Sequence, residues 1–250
     1  HLLETAGFNV AVGGNIGTSF ARLLAEGEHE YYVLELSSFQ LDGIIDFRPH
    51  VSILLNITPD HLDRYEYKME NYIHSKFRIT KNQLEEDVFI YNGFDINIKT
   101  YLQDKQLIIN KIPVQEVLYT KNKLTVGVSE FDTTKCSLKG QHNFFNATCA
   151  IHAAHAVGVK DEFIQQGLNT FVNEPHRLEH ITTIKGVDYI NDSKATNVDS
   201  VYFALKAMEK PVVLIAGGTD KGNDYTAIED LVNEKVKALI CMGIDNSKLI

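Results

Sequence analysis

Five polar clusters in this chain hold residue types that do chemistry, and each follows an apolar run. Glu35-Leu36-Ser37-Ser38-Phe39-Gln40 sets a carboxylate at the end of such a run, with two hydroxyls behind it. A buried carboxylate is costly unless paired or bound to a cation, so Glu35 faces an arginine or a helix terminus, or it belongs to a site. Asn56-Ile57-Thr58-Pro59-Asp60-His61-Leu62-Asp63 offers two carboxylates and an imidazole within one turn. That set ligates a hard cation, meets a phosphate, or forms an Asx turn with Asp60 as a cap. Lys76 is an oddity of pattern. At about 100° per residue, Met69, Tyr72, Ile73, Phe77, Thr80 and Leu84 share one stripe with Lys76 in its middle, away from Glu70, Asn71 and Lys81. A lysine there snorkels, has a depressed pKa, is modified, or holds an anion. Asn191-Asp192-Ser193-Lys194-Ala195-Thr196-Asn197 mixes charges and hydroxyls before a helical run. It suits a phosphate or carboxylate at a helix N-terminus, or a plain cap by Thr196 or Asn197. Gly217-Gly218-Thr219-Asp220-Lys221-Gly222 imitates a phosphate loop, but its lysine precedes the glycine, so it is no Walker A motif. Gly13-Gly14-Asn15-Ile16-Gly17 likewise misses the dinucleotide fingerprint.

The elements that must position these clusters alternate in kind. Tyr31 to Leu36, Val51 to Leu55, Val212 to Ala216 and Ala238 to Cys241 read as strands, with a further strand at Val187 to Ile190. Their near-continuous apolar runs predict parallel strands covered on both faces. In open α/β sheets ligands bind beyond the carboxyl ends of such strands, where the clusters fall. Helical patterns run over Ser19 to Glu26, Met69 to Glu85, Asn143 to Val157, Asp161 to Phe171, Val198 to Met208 and Ala227 to Val232. Asp87 to Leu138 reads instead as small β-strands inserted in or beside the first sheet, with turns at Asn92-Gly93 and Lys121-Asn122. Pro175, after Asn173-Glu174, marks a domain boundary, giving residues 1–174 and 175–250. His1 to Gly7 reads as the end of a helix closed by a glycine, and the chain stops after a strand-like run, so an internal piece of a longer chain is expected.

Composition narrows the function classes. The 250 residues are 44% hydrophobic and 23% charged, enough for a packed core and unlike a disordered chain. A net charge of −9 without a basic block argues against nucleic acid as the partner. The three cysteines form no CxxC pair, which points to a reducing compartment. No apolar run approaches the ~20 residues of a membrane span, and no signal peptide is visible.

Taken in order, GGNIG (13–17), ELSSFQL (35–41), NITPDHLDRY (56–65), HSKFRI (74–79), GQHNFFNA (140–147), EPHRLE (174–179), NDSKATN (191–197) and GGTDKG (217–222) resemble the Mur ligases, over nearly the whole chain. ELSSFQ and NDSKATN resemble the branch that adds D-glutamate. The resemblance implies an α/β fold: a P-loop-NTPase-like central domain lacking its P-loop, with inserted β-strands, then a partial Rossmann-like C-terminal domain. It implies a cytoplasmic, monomeric, ATP-dependent amide-bond-forming ligase of peptidoglycan precursor synthesis. Its substrates would be ATP, UDP-N-acetylmuramoyl-L-alanine and D-glutamate, with Mg²⁺ as cofactor and neither nucleic acid nor membrane as partner. Residue by residue, it implies Glu35 as a ligand of one magnesium, and His61 and a carbamylated Lys76 at a second. Asn15, Ser37 and Gln40 would contact the muramoyl substrate, and Asn143, Asn146, Arg177 and Asp192 the ATP. Lys194, Thr196 and Lys221 would orient D-glutamate or the transferring phosphate, with Lys76, His61 and Lys194 catalytic. The family's GxxGK[ST] loop is absent from these residues, so the 250-residue chain alone is expected to be inactive. Another amino-acid ligase of the same scaffold and a non-catalytic nucleotide-binding remnant are the alternatives.

Overall fold

The computed structural model describes residues 1–105, 107–120, 122–138, 140–218 and 224–243. The chain forms two compact units: His1–Ser137 with Asn143–Phe171, and Leu138–His142 with Val172–Ile250.

In the first unit a short helix, α1 (Leu2–Thr5), leads to β1 (Val10–Gly14), α2 (Phe20–Glu26) and β2 (Tyr31–Glu35), and the two strands pair in parallel. The glycines of the first motif allow this closeness. A Cβ on Gly13 would lie 2.0 Å from the Thr18 carbonyl oxygen, and one on Gly14 would lie 2.3 Å from that of Glu35. Gly14 also has φ of +108°, where a side chain is strained. The chain then makes α3 (Ser38–Asp42), β3 (Val51–Leu54), α4 (Met69–Phe77) and β4 (Val88–Asn92). It continues through α5 (Ile96–Asp104) to β5 (Asn110–Val114). β3, β4 and β5 form a parallel sheet in that order. The two faces of β4 carry two cores. Phe89 is fully buried with Leu54, Tyr65, Tyr72, Phe77 and Ile98. Ile90, one residue on and therefore on the opposite face, is buried with Val114 and Cys149. Each such side chain contributes about 1.5–3 kcal/mol when fully buried. Cys149 belongs to α6 (Gln141–Ala156), which precedes α7 (Asp161–Thr170).

Two expectations are corrected here. The helix over Met69 to Glu85 ends at Phe77, followed by a 3-10 turn at Arg78–Thr80. Lys81, Asn82 and Gln83 each donate to carbonyls of residues 44–49. Consecutive helical residues are turned about 100° apart, so three in a row cannot face one neighbouring segment from an α-helix. The stretch Asp87 to Leu138 is not all small strands. It supplies β4 and β5 to the parallel sheet and the helix α5, whose N-terminus Asp95 caps by accepting from Ile98 N at 2.9 Å. Only β6 (Leu118–Thr120), β7 (Lys123–Val126) and β8 (Ser129–Asp132) form a separate antiparallel sheet.

The second unit contains a hairpin of β9 (Glu179–Ile184) and β10 (Val187–Asn191). Its turn, Lys185-Gly186, has φ of 50° and 80°, the doubly left-handed pair of a tight hairpin turn. β9 was not read from the sequence. Then come α8 (Val198–Ala207), β11 (Val212–Gly217), α9 (Thr226–Lys235) and β12 (Val236–Met242), with β11 and β12 parallel. These strands are not covered on both faces by the described residues. Val213, Ile215, Ile240 and Met242 are 49–59% exposed, and their alternation puts them on one open face. Among the described residues no helix is long and apolar enough to cross a membrane.

Candidate active site

Most of the singled-out residues sit where strands end. Glu35 closes β2, and Asn15 follows β1 beside it. The Asn15 backbone N–H donates to the Glu35 carbonyl at 2.7 Å. Its side-chain amide donates to Glu35 Oε1 at 3.2 Å. The GGNIG turn thus brings these two predicted residues together and aims an exposed carboxylate beyond the strand. Ser37 and Gln40 are also joined. The Ser37 hydroxyl accepts from Gln40 N–H, and Gln40 Oε1 accepts from Ser37 N–H at 2.9 Å and from the Ser37 hydroxyl at 3.1 Å. This is a capping box, so both side chains set the start of α3.

The loop after β3 carries Asp60 and His61. Its backbone is held at Ile57, whose N–H donates to Asp95 Oδ2 at 2.8 Å, so the cap of α5 also fixes this loop. His61 adopts φ of 51°, a left-handed conformation uncommon for a non-glycine residue. Its ring lies edge-on to Phe39 at 5.2 Å, and its Nε2 is 3.5 Å from Asp60 Oδ2. Lys76 is half-buried on α4, with its ammonium 5.3 Å from the Tyr72 ring centroid. Burial lowers the Lys76 pKa below the ordinary lysine value, opposed by the negative charges of Asp60 and then Glu35. The same surroundings push the Tyr72 hydroxyl up to about 12, through burial first and then Asp60 and Tyr65. Asp60, Glu35 and Lys76 therefore share one electrostatic neighbourhood, with Tyr72 under the amine. Sequence reading undervalued Asp60 and missed Tyr72. The signal for Tyr72 was its place four residues before Lys76, one helical turn away. Glu35 and Asp60 are oxygen donors of the kind a hard divalent cation takes. Among the described residues, no three His, Cys, Asp or Glu side chains converge closely enough to hold an ion unaided.

Asn143 and Asn146 lie in the first two turns of α6, Asn143 half-buried and Asn146 exposed. In the second unit, Leu178 N–H donates to Asp192 Oδ1 at 3.0 Å, which ties the EPHRLE turn to the end of β10. Asp192 is half-buried. Burial raises its pKa, against that hydrogen bond and the charges of Arg177 and His142. Arg177 is exposed beside it. The Lys194 ammonium donates to Glu174 at 2.9 Å, and its backbone N–H to the His176 carbonyl at 3.1 Å. Thr196 is exposed, and the cap of α8 falls to Asn197, which accepts from Ser200 N–H at 2.8 Å. Glu174 and His142 were not anticipated from sequence. Lys221 lies outside the described residues.

Comparison with known proteins defines the class. The Mur ligase middle domain matches residues 3–154, and the Mur ligase glutamate ligase domain matches residues 176–249. The chain belongs to the Mur ligase family. At finer grain, it is 48% identical to the UDP-N-acetylmuramoylalanine--D-glutamate ligase of Christiangramia forsetii, over 100% of this chain and 59% of that protein. It is 49% identical to the ligase of the same name from Porphyromonas gingivalis, over 100% of this chain and 58% of that one. The chain thus spans under two thirds of the length of the curated relatives it matches. Solved structures share the fold. MurF from Acinetobacter baumannii superposes with a TM-score of 0.75 at 20% identity, covering 97% of this chain and 60% of that one. A bifunctional folylpolyglutamate synthase/dihydrofolate synthase with Mn, AMPPNP and L-glutamate bound gives 0.68 at 14% identity, over 98% and 71%.

Proposed function

We propose that these residues belong to an ATP-dependent ligase that joins D-glutamate to UDP-N-acetylmuramoyl-L-alanine in cytoplasmic peptidoglycan precursor synthesis. The observation that carries this reading is the 45–49% identity, over the whole chain, to ligases named for that reaction. In the reaction, the γ-phosphoryl group of ATP passes to the alanyl carboxylate, giving an acyl phosphate and ADP. The amine of D-glutamate attacks the acyl carbon, and the tetrahedral adduct collapses to the amide as inorganic phosphate leaves.

In this reading residues 1–174 are a P-loop-NTPase-like central domain and residues 175–250 part of a Rossmann-like C-terminal domain. Asn15 orients Glu35, and Asn15, Ser37 and Gln40 contact the muramoyl substrate. Glu35, His61 and Lys76 would hold magnesium, with Asp60 close enough in charge to take part. Magnesium, when bound, neutralises charge on the phosphate oxygens. Lys76 would serve as its carbamate: burial favours the neutral amine, whose nitrogen adds CO₂ and gives up a proton, leaving carbamate oxygens of the kind Mg²⁺ takes. Asn143, Asn146, Arg177 and Asp192 bind the nucleotide. Lys194, Thr196 and Lys221 orient D-glutamate and the transferring phosphate, and Lys194 exchanges Glu174 for a substrate anion. The protein acts as a monomer on these three substrates.

The test is phosphate release by a protein of the relatives' length that carries these residues. Release should require ATP, UDP-N-acetylmuramoyl-L-alanine and D-glutamate together. Equal release with another amino acid would move the assignment to a different ligase of this scaffold. No release with any amino acid would favour a nucleotide-binding remnant.

A further inference from the structure

Between β2 and β3 the chain crosses from residue 38 to residue 49, and its backbone carbonyls need partners. A run of side chains from α4 and the turn after it supplies them in sequence order. Arg78 Nε donates to the Leu41 carbonyl and Nη2 to that of Ile44, both at 2.8 Å. Lys81 follows on Ile44, Asn82 on Ile45 and Phe47, and Gln83 on Pro49. The first rung differs from the rest. Ser75, 3% exposed, donates its hydroxyl proton to the carbonyl of Ser38, itself 3% exposed, at 2.9 Å. Ser75 precedes Lys76, and Ser38 follows Ser37. This rung therefore joins the two residues' neighbours at the site.

A proton count sharpens its role. Tyr65, buried at 8% exposure, reaches Asp42 Oδ2 at 3.0 Å and Ser75 Oγ at 3.2 Å. The Asp42 carboxylate and the Ser38 carbonyl can only accept, and each hydroxyl has one proton. Ser75 commits its proton to Ser38. Tyr65 then shares its proton between Asp42 and the Ser75 lone pair. Tyr65 lies four residues after His61, in the 3-10 turn Leu62–Tyr65. Three segments bearing Ser37, His61 and Lys76 thus meet at one buried pair of hydroxyls.

We propose that Ser75 is a positioning residue, which with Tyr65 fixes Lys76 against the Glu35–Gln40 turn and the His61 turn. This rests on the ligase reading above for its catalytic consequence, and on geometry alone for the tether. Ser75→Ala leaves the buried Ser38 carbonyl without this partner and frees α4 to shift. A displacement of about 1 Å near reacting groups lowers turnover by up to roughly 100-fold. Tyr65→Phe leaves the Ser75–Ser38 bond in place and has the smaller effect.

The test uses the full-length protein, comparing kcat per folded molecule, KM for ATP and hydrogen exchange across residues 38–45. Ser75→Ala should lower kcat by roughly 10- to 100-fold with KM for ATP unchanged, and should speed exchange in that segment. Tyr65→Phe should lower kcat several-fold. Wild-type kcat in Ser75→Ala overturns the catalytic role, and unchanged exchange overturns the tether whatever the activity. If Ser75→Ala does not fold, wild-type kcat in Tyr65→Phe overturns the proposal and a several-fold loss supports it. A wild-type protein that does not require D-glutamate would refute the ligase reading instead, and the exchange measurement would still decide the tether.

Discussion

Asp87 and Lys76 are both charged residues drawn inward, and they are treated in opposite ways. The Asp87 side chain is 1% exposed, yet Arg48 reaches both of its oxygens, at 2.6 and 3.0 Å, and Leu84 N–H donates to it at 2.7 Å. Those bonds hold its pKa below the ordinary carboxylate value, the Arg48 hydrogen bond foremost, with burial opposing. A carboxyl with a depressed folded pKa adds stability above its unfolded value of about 4 and loses it as pH falls through the lower folded value. Unfolding free energy should therefore drop below about pH 4. Arg48→Ala should destabilise the fold at neutral pH, since it leaves the Asp87 carboxylate with only the Leu84 N–H as a donor among the described residues, and urea titrations at several pH values check both. Among the described residues Lys76 has no such partner at bonding distance; it has the ring of Tyr72 and two carboxylates farther off. Burial, by lowering its pKa, raises the fraction of neutral amine. On the proposed ligase reading, Lys76→Met in a protein of the relatives' length should remove roughly 10²- to 10³-fold of turnover while circular dichroism stays native. Near wild-type turnover would mean that the amine merely packs.

Elements here are fixed at their ends by side chains that serve two neighbours at once. Asp95 caps α5 through one oxygen and holds the loop after β3 through the other. Losing the cap costs about 1 kcal/mol, and leaving the Ile57 N–H without an acceptor costs about 1–3 kcal/mol more. Asp95→Ala should thus destabilise by roughly 2–4 kcal/mol, and Asp95→Asn, which keeps one acceptor oxygen, by less. Chemical unfolding measures the difference. Exchange of both the Ile98 and Ile57 amides should rise in Asp95→Ala, and of only one of the two in Asp95→Asn. The Ser37–Gln40 box fixes α3 in the same fashion, so variants at those positions change the entry angle of a helix as well as any substrate contact.

At the scale of the molecule, the described chain has two units and no GxxGK[ST] sequence. A phosphate loop supplies backbone N–H groups and a lysine to the β- and γ-phosphates. Residues 1–250 alone should therefore bind ATP weakly. Isothermal calorimetry at millimolar ATP checks this. Micromolar affinity would reveal a phosphate site among residues given no such role above. A protein of the relatives' length should bind far more tightly.

Some of this was written in local sequence. The GGNIG turn and the parallel strands at Tyr31, Val51 and Val212 were legible because their causes lie within a few residues, glycines and unbroken apolar runs, whereas the Ser37–Gln40 capping box was not read until the structure showed it. The inward place of Lys76 was legible for the same reason, since helical periodicity is local. The end of α4 at Phe77 was not, because it is set by carbonyls more than thirty residues earlier that draw Lys81, Asn82 and Gln83 out of helical register. The helix α5 was hidden because Asn92-Gly93 reads as a hairpin turn until β4 and β5 are seen to be parallel. The roles of Asp60, Tyr72 and Ser75 also waited on the tertiary structure. Hydrogen bonding and charge act through space, and only the folded chain decides which distant groups share a few ångströms of it.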